Sequence, residues 1–410
     1  MKTAVLAIRG IDTLLFRDGK PFDTTPGGRA ETLLVPPPST VAGFLRTKLG
    51  RYVDGRWVGD SDALKLRGPL LVRNEEPVFA APVDAVVFKK DSATTRVMIL
   101  RPWNGLPEHA GCDLPCGMRP LKVTQDEKPE KGYKWWSRAD LLDWLLDEWA
   151  EGRTPCKIEE PETDIRTHLE VDAQKGAAQE GMLFTTQMVA FERHTHRRKR
   201  ERTLLCDEAE RQDSGQEVKA DKVAWSLLCR VEINDAAASL DGPGPLGGEN
   251  RLASIEEPVC IEWPACPDEL KEKLHKASYV RMILATPAIF GRGWVPQWLD
   301  RTTREGAPPG LQGKIRLKLV SAAVPRHQAV SGWEMENRRP KPVRWMAPAG
   351  SVYFFTVIDG DAAILAEEGW LAPVSDDEET SEPHRPVSKN RDDGFGLALW
   401  GVWNGKEDNQ

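Results

Sequence analysis

The sequence predicts an α+β chain of two ferredoxin-like (RRM-like) domains, each a β-α-β-β-α-β unit with glycine-rich loops and large insertions. Three observations predict it. The second half reads in that order: a strand at 278–285, a short helix opening at 296–299, strands at 314–324 and 351–358, a helix at 361–370 and a closing strand at 395–403. The same order fits the first half, with a strand at 3–8, a helix from Thr40, middle strands, a helix from Arg138 and a final strand at 252–263. Each final strand is entered through a glycine loop, Pro245-Leu-Gly-Gly-Glu-Asn-Arg251 in one copy and Arg391-Asp-Asp-Gly-Phe-Gly396 in the other. The expected domains are therefore 1–265 and 266–410.

Length and composition agree with two domains. The chain has 410 residues, of which 40% are hydrophobic and 29% charged, with a formal net charge of -7. That charge excludes a protein basic all over but leaves room for a local basic groove, because binding follows the local field. Seven cysteines is an odd number. Neither Cys112/Cys116 nor Cys260/Cys266 has the tight spacing of a zinc knuckle, so no metal and no cofactor is expected. Free thiols fit a reducing cytoplasm. No apolar run reaches membrane-spanning length, so no membrane partner is expected. The short apolar run after Lys2 is broken by Arg9 and Asp12 and reads as a strand, not a signal peptide.

After the first strand, Asp18-Gly19 signals a turn flanked by Arg17 and Lys20. Pro36-Pro37-Pro38 stops an apolar run, and Ser39 or Thr40 can cap the helix that follows, with Val41, Phe44, Leu45 and Leu49 on one face. Gly43 in its first turn clears space beside the unpaired N–H groups, a natural phosphate seat that Arg46 can also reach. The bland alternative is an ordinary helix whose Gly43 packs on a strand. Residues 70–73 and 83–88 read as strands and 89–136 as irregular. Ser137-Arg-Ala-Asp140 resembles a capping box ahead of an amphipathic helix. Arg166 and His168 alternate on one strand face, where they suit acid–base chemistry on RNA, a phosphate clasp or plain solvation. Residues 193–202 are strongly basic and 207–217 strongly acidic, marking a charge-segregated insertion. Residues 224–233 read as a strand.

In the second half, Gly291 and Gly293 flank Arg292 in a loop. Between the middle strands, residues 325–347 carry Arg326, Arg338, Arg339, Lys341 and Arg344 with Trp333 and Trp345, against only Glu334 and Glu336. Cations hold phosphates and aromatic faces stack bases, so this hairpin reads as a nucleic-acid arm. The acidic run Asp376-Asp-Glu-Glu379 reads as disordered. Gly247, Gly248, Gly394 and Gly396 read as points where backbone lies close to a polymer, because glycine adds no side chain and adopts positive φ.

With these stretches assembled, the chain resembles the RAMP superfamily of CRISPR proteins, and within it subunit three of the Cmr (type III-B) effector complex. Residues 16–22, 37–46, 166–184, 245–251, 285–296, 330–355 and 394–401 carry the resemblance, in family order. The insertion at 192–222 and the acidic stretch at 376–382 depart from it. The resemblance implies a non-catalytic ribonucleoprotein subunit of antiviral defence whose glycine-rich loops hold the repeat-derived 5′ tag of the crRNA. The RNA-binding candidates are Arg17, Lys20, Ser39, Thr40, Gly43, Arg46, Arg166, His168, Gly247, Gly248, Arg251, Arg292, Gly394 and Gly396. The implied partners are the large polymerase-like Cmr subunit and the first backbone Cmr subunit, with target RNA met only indirectly. In that family, cleavage of target RNA belongs to the backbone subunits and cyclic-oligoadenylate synthesis to the large one. The competing readings are a repeat-processing endoribonuclease of the same superfamily, with His168 as acid or base, and a stand-alone RNA-recognition protein.

Overall fold

The computed structural model describes the chain except residues 20–28, 54–55, 59–63, 90–94, 104–110, 112–113, 116, 124–126, 173, 192–222, 236, 258, 335–338, 378–388 and 406–410. Lys20, the charged insertion, the tip of the tryptophan arm and most of the acidic stretch therefore lie outside the described residues. The principal elements are β1 (Lys2–Gly10), α1 (Pro38–Leu49), β2 (Leu64–Arg73), β3 (Glu76–Ala80), β4 (Trp135–Ser137), α2 (Arg138–Leu145), β5 (Glu162–Asp172) and β6 (Ala177–Ala190). There follow β7 (Trp225–Ile233), β8 (Gly242–Pro245), β9 (Leu252–Glu256), α3 (Asp268–Leu274), β10 (Tyr279–Leu284), β11 (Ile315–Ala323), β12 (Gln328–Val330), β13 (Arg344–Met346), β14 (Val352–Gly360), α4 (Ala363–Glu367) and β15 (Leu397–Val402).

Two sheets organise the α+β fold. The first is seven-stranded, in the order β8-β9-β1-β7-β2-β3-β4. The second is six-stranded, with β11-β14-β10-β15 at its centre and the two-residue strands Glu305–Gly306 and Ala372–Pro373 at its edges. In both, the first strand lies between the closing strand (β9 or β15) and an earlier long strand (β7 or β14), and both pairings are antiparallel. The burial pattern follows from composition. β1 and β7 meet through Leu6 and Cys229, and α1 covers them with Val41, Phe44 and Leu45, all in one core. The second sheet buries Met282, Leu319 and Phe355 beneath α3 and α4, through Leu270, Leu274 and Leu365.

Several expectations need correction. The third strand of the first sheet is β7, not the strand expected at 83–88, which instead pairs as Ala85–Lys89 with Thr95–Ile99 in a separate ribbon. Helix α2 forms as its capping residues predict, with Ser137 Oγ accepting from the Asp140 N–H. However, α2 precedes β7 in the chain and packs between β3 and β4 of the first sheet and β15 of the second. The missing side chain of Gly401 on β15 leaves room for the Leu145 backbone, whose carbonyl oxygen would lie 2.5 Å from a Cβ there. Residues 296–299 form turns and isolated bridges rather than a helix, and the helix that does form, α3, lies upstream of β10.

A buried charge network ties these parts together. Arg281 on β10 and Asp84 are both shut off from solvent, with Nη1 and Oδ2 3.0 Å apart. The Trp144 indole N–H donates to the other Asp84 oxygen at 2.9 Å, and the Arg281 guanidinium lies over the Trp144 ring. Burial pushes the Asp84 carboxyl up and Arg281 opposes that shift. A buried pair of this kind is costly to break, because the survivor keeps its desolvation penalty without its partner. Arg281→Met should therefore lower the unfolding free energy by about 3–5 kcal/mol. The double variant Asp84→Leu, Arg281→Met should recover most of that loss, and urea melts of the three proteins check it.

Candidate nucleic-acid interface

Residues 13–19 form the rail along which the candidate residues of the first half are arranged. Leu14 exchanges two 2.8 Å backbone hydrogen bonds with Val189 of β6. The Leu15 carbonyl accepts from Gly248 N–H at 2.8 Å, and the Phe16 carbonyl accepts from Leu33 N–H at 2.8 Å. Gly19 N–H reaches the arm, donating to the Ala329 carbonyl at 3.1 Å. Buried Leu14, Leu15 and Phe16 hold the rail in place. Arg17, bridged to Thr32, is thereby brought near the arm.

Arg166 on β5 donates to Thr13 Oγ1 at 3.1 Å and pairs with Asp164 at 2.8 Å. His168, two residues on, hydrogen-bonds Thr186 Oγ1 at 2.8 Å, and its ring stacks on Phe184 with centroids 4.8 Å apart and 9° between planes. Arg166 thus lies beside the rail, while His168 is held against β6. On the opposite flank, Gly247, at φ 84°, and Gly248 lie against Leu15, while Arg251 closes the turn and pairs with Glu249 at 3.5 Å.

The glycines do not present open backbone. A Cβ on Gly247 would come within 2.4 Å of the Leu15 carbonyl oxygen, and one on Gly394 within 2.5 Å of the Gly68 carbonyl oxygen. A Cβ on Gly396 would come within 2.6 Å of Ser375 Oγ. The close approach that glycine permits is here made to the chain's own backbone. The helix expectation also changes. Helix α1 starts at Pro38 with Pro37 as its N-cap and no side-chain cap, so Ser39 and Thr40 lie within the first turn. Among the described residues nothing comes within 4 Å of a Cβ placed on Gly43, so it is not seated on a strand. Arg46 donates to Asp393 at 2.6 Å and to the Leu64 carbonyl at 3.4 Å, so its charge is met inside the protein. Burial pushes the Asp393 carboxyl up, against Arg46, Lys341 and Arg344. Arg292 donates to the Leu299 carbonyl of its own loop at 2.9 Å.

The first two residues of the acidic run are structural rather than disordered. Asp376 accepts from the N–H groups of Gly291 and Gln297, holding the Arg292 loop, and Asp377 pairs with Arg391. Sequence reasoning missed these acids, together with Thr13, Thr186, Asn390 and Asp393. The one available signal was that Asp392-Asp393 stand beside the proposed RNA-facing glycines, where a phosphate would be repelled.

The arm pairs β12 with β13, and Trp333–Glu334 with Arg339–Pro340 further out. A small core of Ile289, Val330, Met346 and Phe395 seats its base. Arg344 donates to Asn390 Oδ1 at 2.6 Å across Phe395. Trp333 and Trp345 are each 56% exposed, and His327 packs against the Trp345 ring. No cluster of metal-ligating side chains occurs among the described residues.

The geometry separates two kinds of glycine. Gly394→Ala combines φ 90° with a backbone clash and should destabilise the fold by more than about 1 kcal/mol. Gly43→Ala, in an open helical position, should stabilise it by up to about 1 kcal/mol. Thermal melts of the two variants check both signs.

Comparisons with known proteins bear on identity. No curated protein matches the chain. Among solved structures, the chain is similar to one in the cryo-EM structure of the Type III-B Cmr-beta bound to cognate target RNA and AMPPnP. That match has 14% identity and a TM-score of 0.44, over 85% of this chain and 86% of that one. A second, from Type III-B Cmr-beta bound to cognate target RNA, has 15% identity and a TM-score of 0.44 over the same shares. The model of the family described as CRISPR-associated protein (Cas_Cmr3) matches residues 6–403. Because that match runs through both sheets, the rail and the arm, the chain belongs to the CRISPR-associated Cas_Cmr3 family.

Proposed function

We propose that this protein is a non-catalytic subunit of a type III-B (Cmr) CRISPR effector complex that holds the repeat-derived 5′ tag of the crRNA. In this reading it bridges the large polymerase-like subunit to the first backbone subunit and meets target RNA only indirectly. Family membership supplies the complex. The observation that carries the RNA-holding role is the rail at 13–19, which gathers Arg17, Arg166 and Arg251 from distant parts of the sequence and runs on to the arm. Cations in that arrangement position phosphates, and the exposed rings of Trp333 and Trp345 offer stacking faces for bases. The two sheets share one strand order, β9-β1-β7-β2 and β15-β10-β14-β11, which supports reading them as two ferredoxin-like units. Each has lost one of its two helices to irregular chain, and α2 lies between the two units.

The RNA surface in this reading is Arg17, Arg166, His168, Arg251 and the arm. Arg46 and Gly394 instead hold the units together, and Gly396 packs within the second. The double variant Arg17→Ala, Arg166→Ala should weaken binding of a labelled guide RNA. It should also flatten the plot of log affinity against log salt by about 0.7 for each phosphate that is no longer neutralised. Trp345→Ala should cost about 1–3 kcal/mol of binding with an unchanged melting temperature. Unaltered affinity and salt slope in both proteins would defeat the proposal. Cleavage of unprocessed repeat RNA by the wild type, abolished by His168→Ala, would establish the endoribonuclease reading instead.

A further inference from the structure

The base of the arm gathers arginines that are engaged by the chain's own acceptors. Arg344 on β13 donates to Asn390 Oδ1, and Arg292 to the Leu299 carbonyl. Arg391 holds Asp377 with three donors: its backbone N–H lies 2.9 Å from Oδ1, and its Nε and Nη2 lie 2.7 and 2.6 Å from Oδ2. The neighbouring acid, Asp376, accepts from the N–H groups of Gly291 at 2.9 Å and Gln297 at 3.1 Å. Backbone N–H groups converging from a glycine-flanked loop, with arginines close by, are a donor set suited to a phosphate. Here two carboxylates fill it.

The strap 375–377 is tied to the arm on both sides. Ser375 Oγ accepts from the Ile289 N–H, and Ile289 lies in the small core that seats the arm. The Asp376 carbonyl accepts from Asn390 Nδ2 at 2.6 Å, and the oxygen of that same side chain takes Arg344. An RNA strand that follows the arm to its base meets these acids. The seat also holds its carboxylate at a cost. Burial pushes the Asp376 carboxyl up, and the N–H groups of Gly291 and Gln297, with Arg292 and Arg391, oppose that shift without cancelling it. A phosphodiester is the stronger acid, so it keeps its charge under desolvation that drives a carboxyl toward its neutral form.

We infer that Asp376 and Asp377 form an autoinhibitory contact: they occupy a phosphate seat made by Arg391 and the N–H groups of Gly291 and Gln297, and a phosphate of the guide RNA takes the seat by displacing them. The inference rests on the proposed RNA-holding role and adds that guide loading is opposed by an internal anion. An RNA that engages the seat alone competes with two tethered carboxylates. One that also engages the rail and the arm has further contacts to offset the exchange.

The test uses the full-length chain with two probes, a labelled guide RNA and inorganic tripolyphosphate. The double variant Asp376→Asn, Asp377→Asn keeps the side-chain shapes, and an oxygen for the loop N–H groups, but removes both charges. It should bind guide RNA about tenfold more tightly than the wild type and gain tripolyphosphate binding by a similar factor. Asp377→Asn alone leaves Asp376 bracing the loop, so it should melt as the wild type does and show part of both gains. Asp18→Asn is the control, because it removes a carboxylate next to Gly19, which bonds the arm, and leaves the seat filled. Its guide affinity should rise by less than about twofold. Unchanged or weaker binding of both probes by the two seat variants would overturn the inference and make the acids a loop brace. An equal gain in Asp18→Asn would also overturn it, leaving only a long-range field effect. Should no protein bind guide RNA while the double variant captures tripolyphosphate, the RNA-holding role fails and the seat stands. Guide RNA bound equally by wild type and seat variants keeps that role and removes the autoinhibition.

Discussion

The two sheets are joined through bare backbone. The Leu66 N–H on β2 donates to the Asp392 carbonyl at 2.7 Å, and two residues on, Gly394 lies against the carbonyls of Leu66 and Gly68. Backbone this close leaves no volume for a side chain at 394, and its positive φ suits glycine. Much else is hung on that contact. It delivers Asp393 to Arg46, Asn390 to Arg344 and Phe395 to the base of the arm. The arm in turn receives Gly19 from the first half. A loop that looks from its sequence like an RNA cradle is the hinge pin of the protein itself.

The same contacts change how the charge of the chain is read. A net charge of -7 argues poorly for RNA binding if every charge is counted alike. Many of the acids, however, face inward. Asp84 meets Arg281, Asp393 meets Arg46, Asp377 meets Arg391, and Asp376 holds backbone N–H groups. Those pairs remove charges of both signs from the outer field. What a polyanion meets depends on the side chains left along the rail and the arm, so the field there is set by local arrangement and not by the total.

The parts legible in the sequence were those governed by local rules. Short β-rich apolar runs located β1, β10, β14 and β15, alternation located β11, and Ser137 with Asp140 marked the start of α2. Clustered cations with Trp333 and Trp345 marked residues 325–347 as an arm. The rest depended on what meets what. A glycine pair announces close approach, yet nothing in Gly394-Phe-Gly396 says whether the approaching molecule is RNA or β2. Arg46 reads as a phosphate ligand until Asp393, distant in the chain, is placed beside it. The rail was invisible for the same reason, since its backbone hydrogen bonds run to four separate stretches and follow no sequence period.

Helix α2 also bears on how the protein comes to be folded. It is made early, yet Trp144 and Leu145 lie in the core shared with β15, and Gly401 closes over the Leu145 backbone. When α2 leaves the ribosome, its partners on β3 and β4 and Asp84 are already made, but β10 and β15 are still to be synthesised. Its indole and leucine side chains therefore wait without their final cover, the exposure that draws chaperones and promotes misassembly in large chains. Such distant pairings form slowly, because the loop between them must close before any contact is gained. The C-terminal sheet, for its part, does not lift out as an independent piece: cut free of residues 138–145, it would carry an open trough along β15 where the helix belongs.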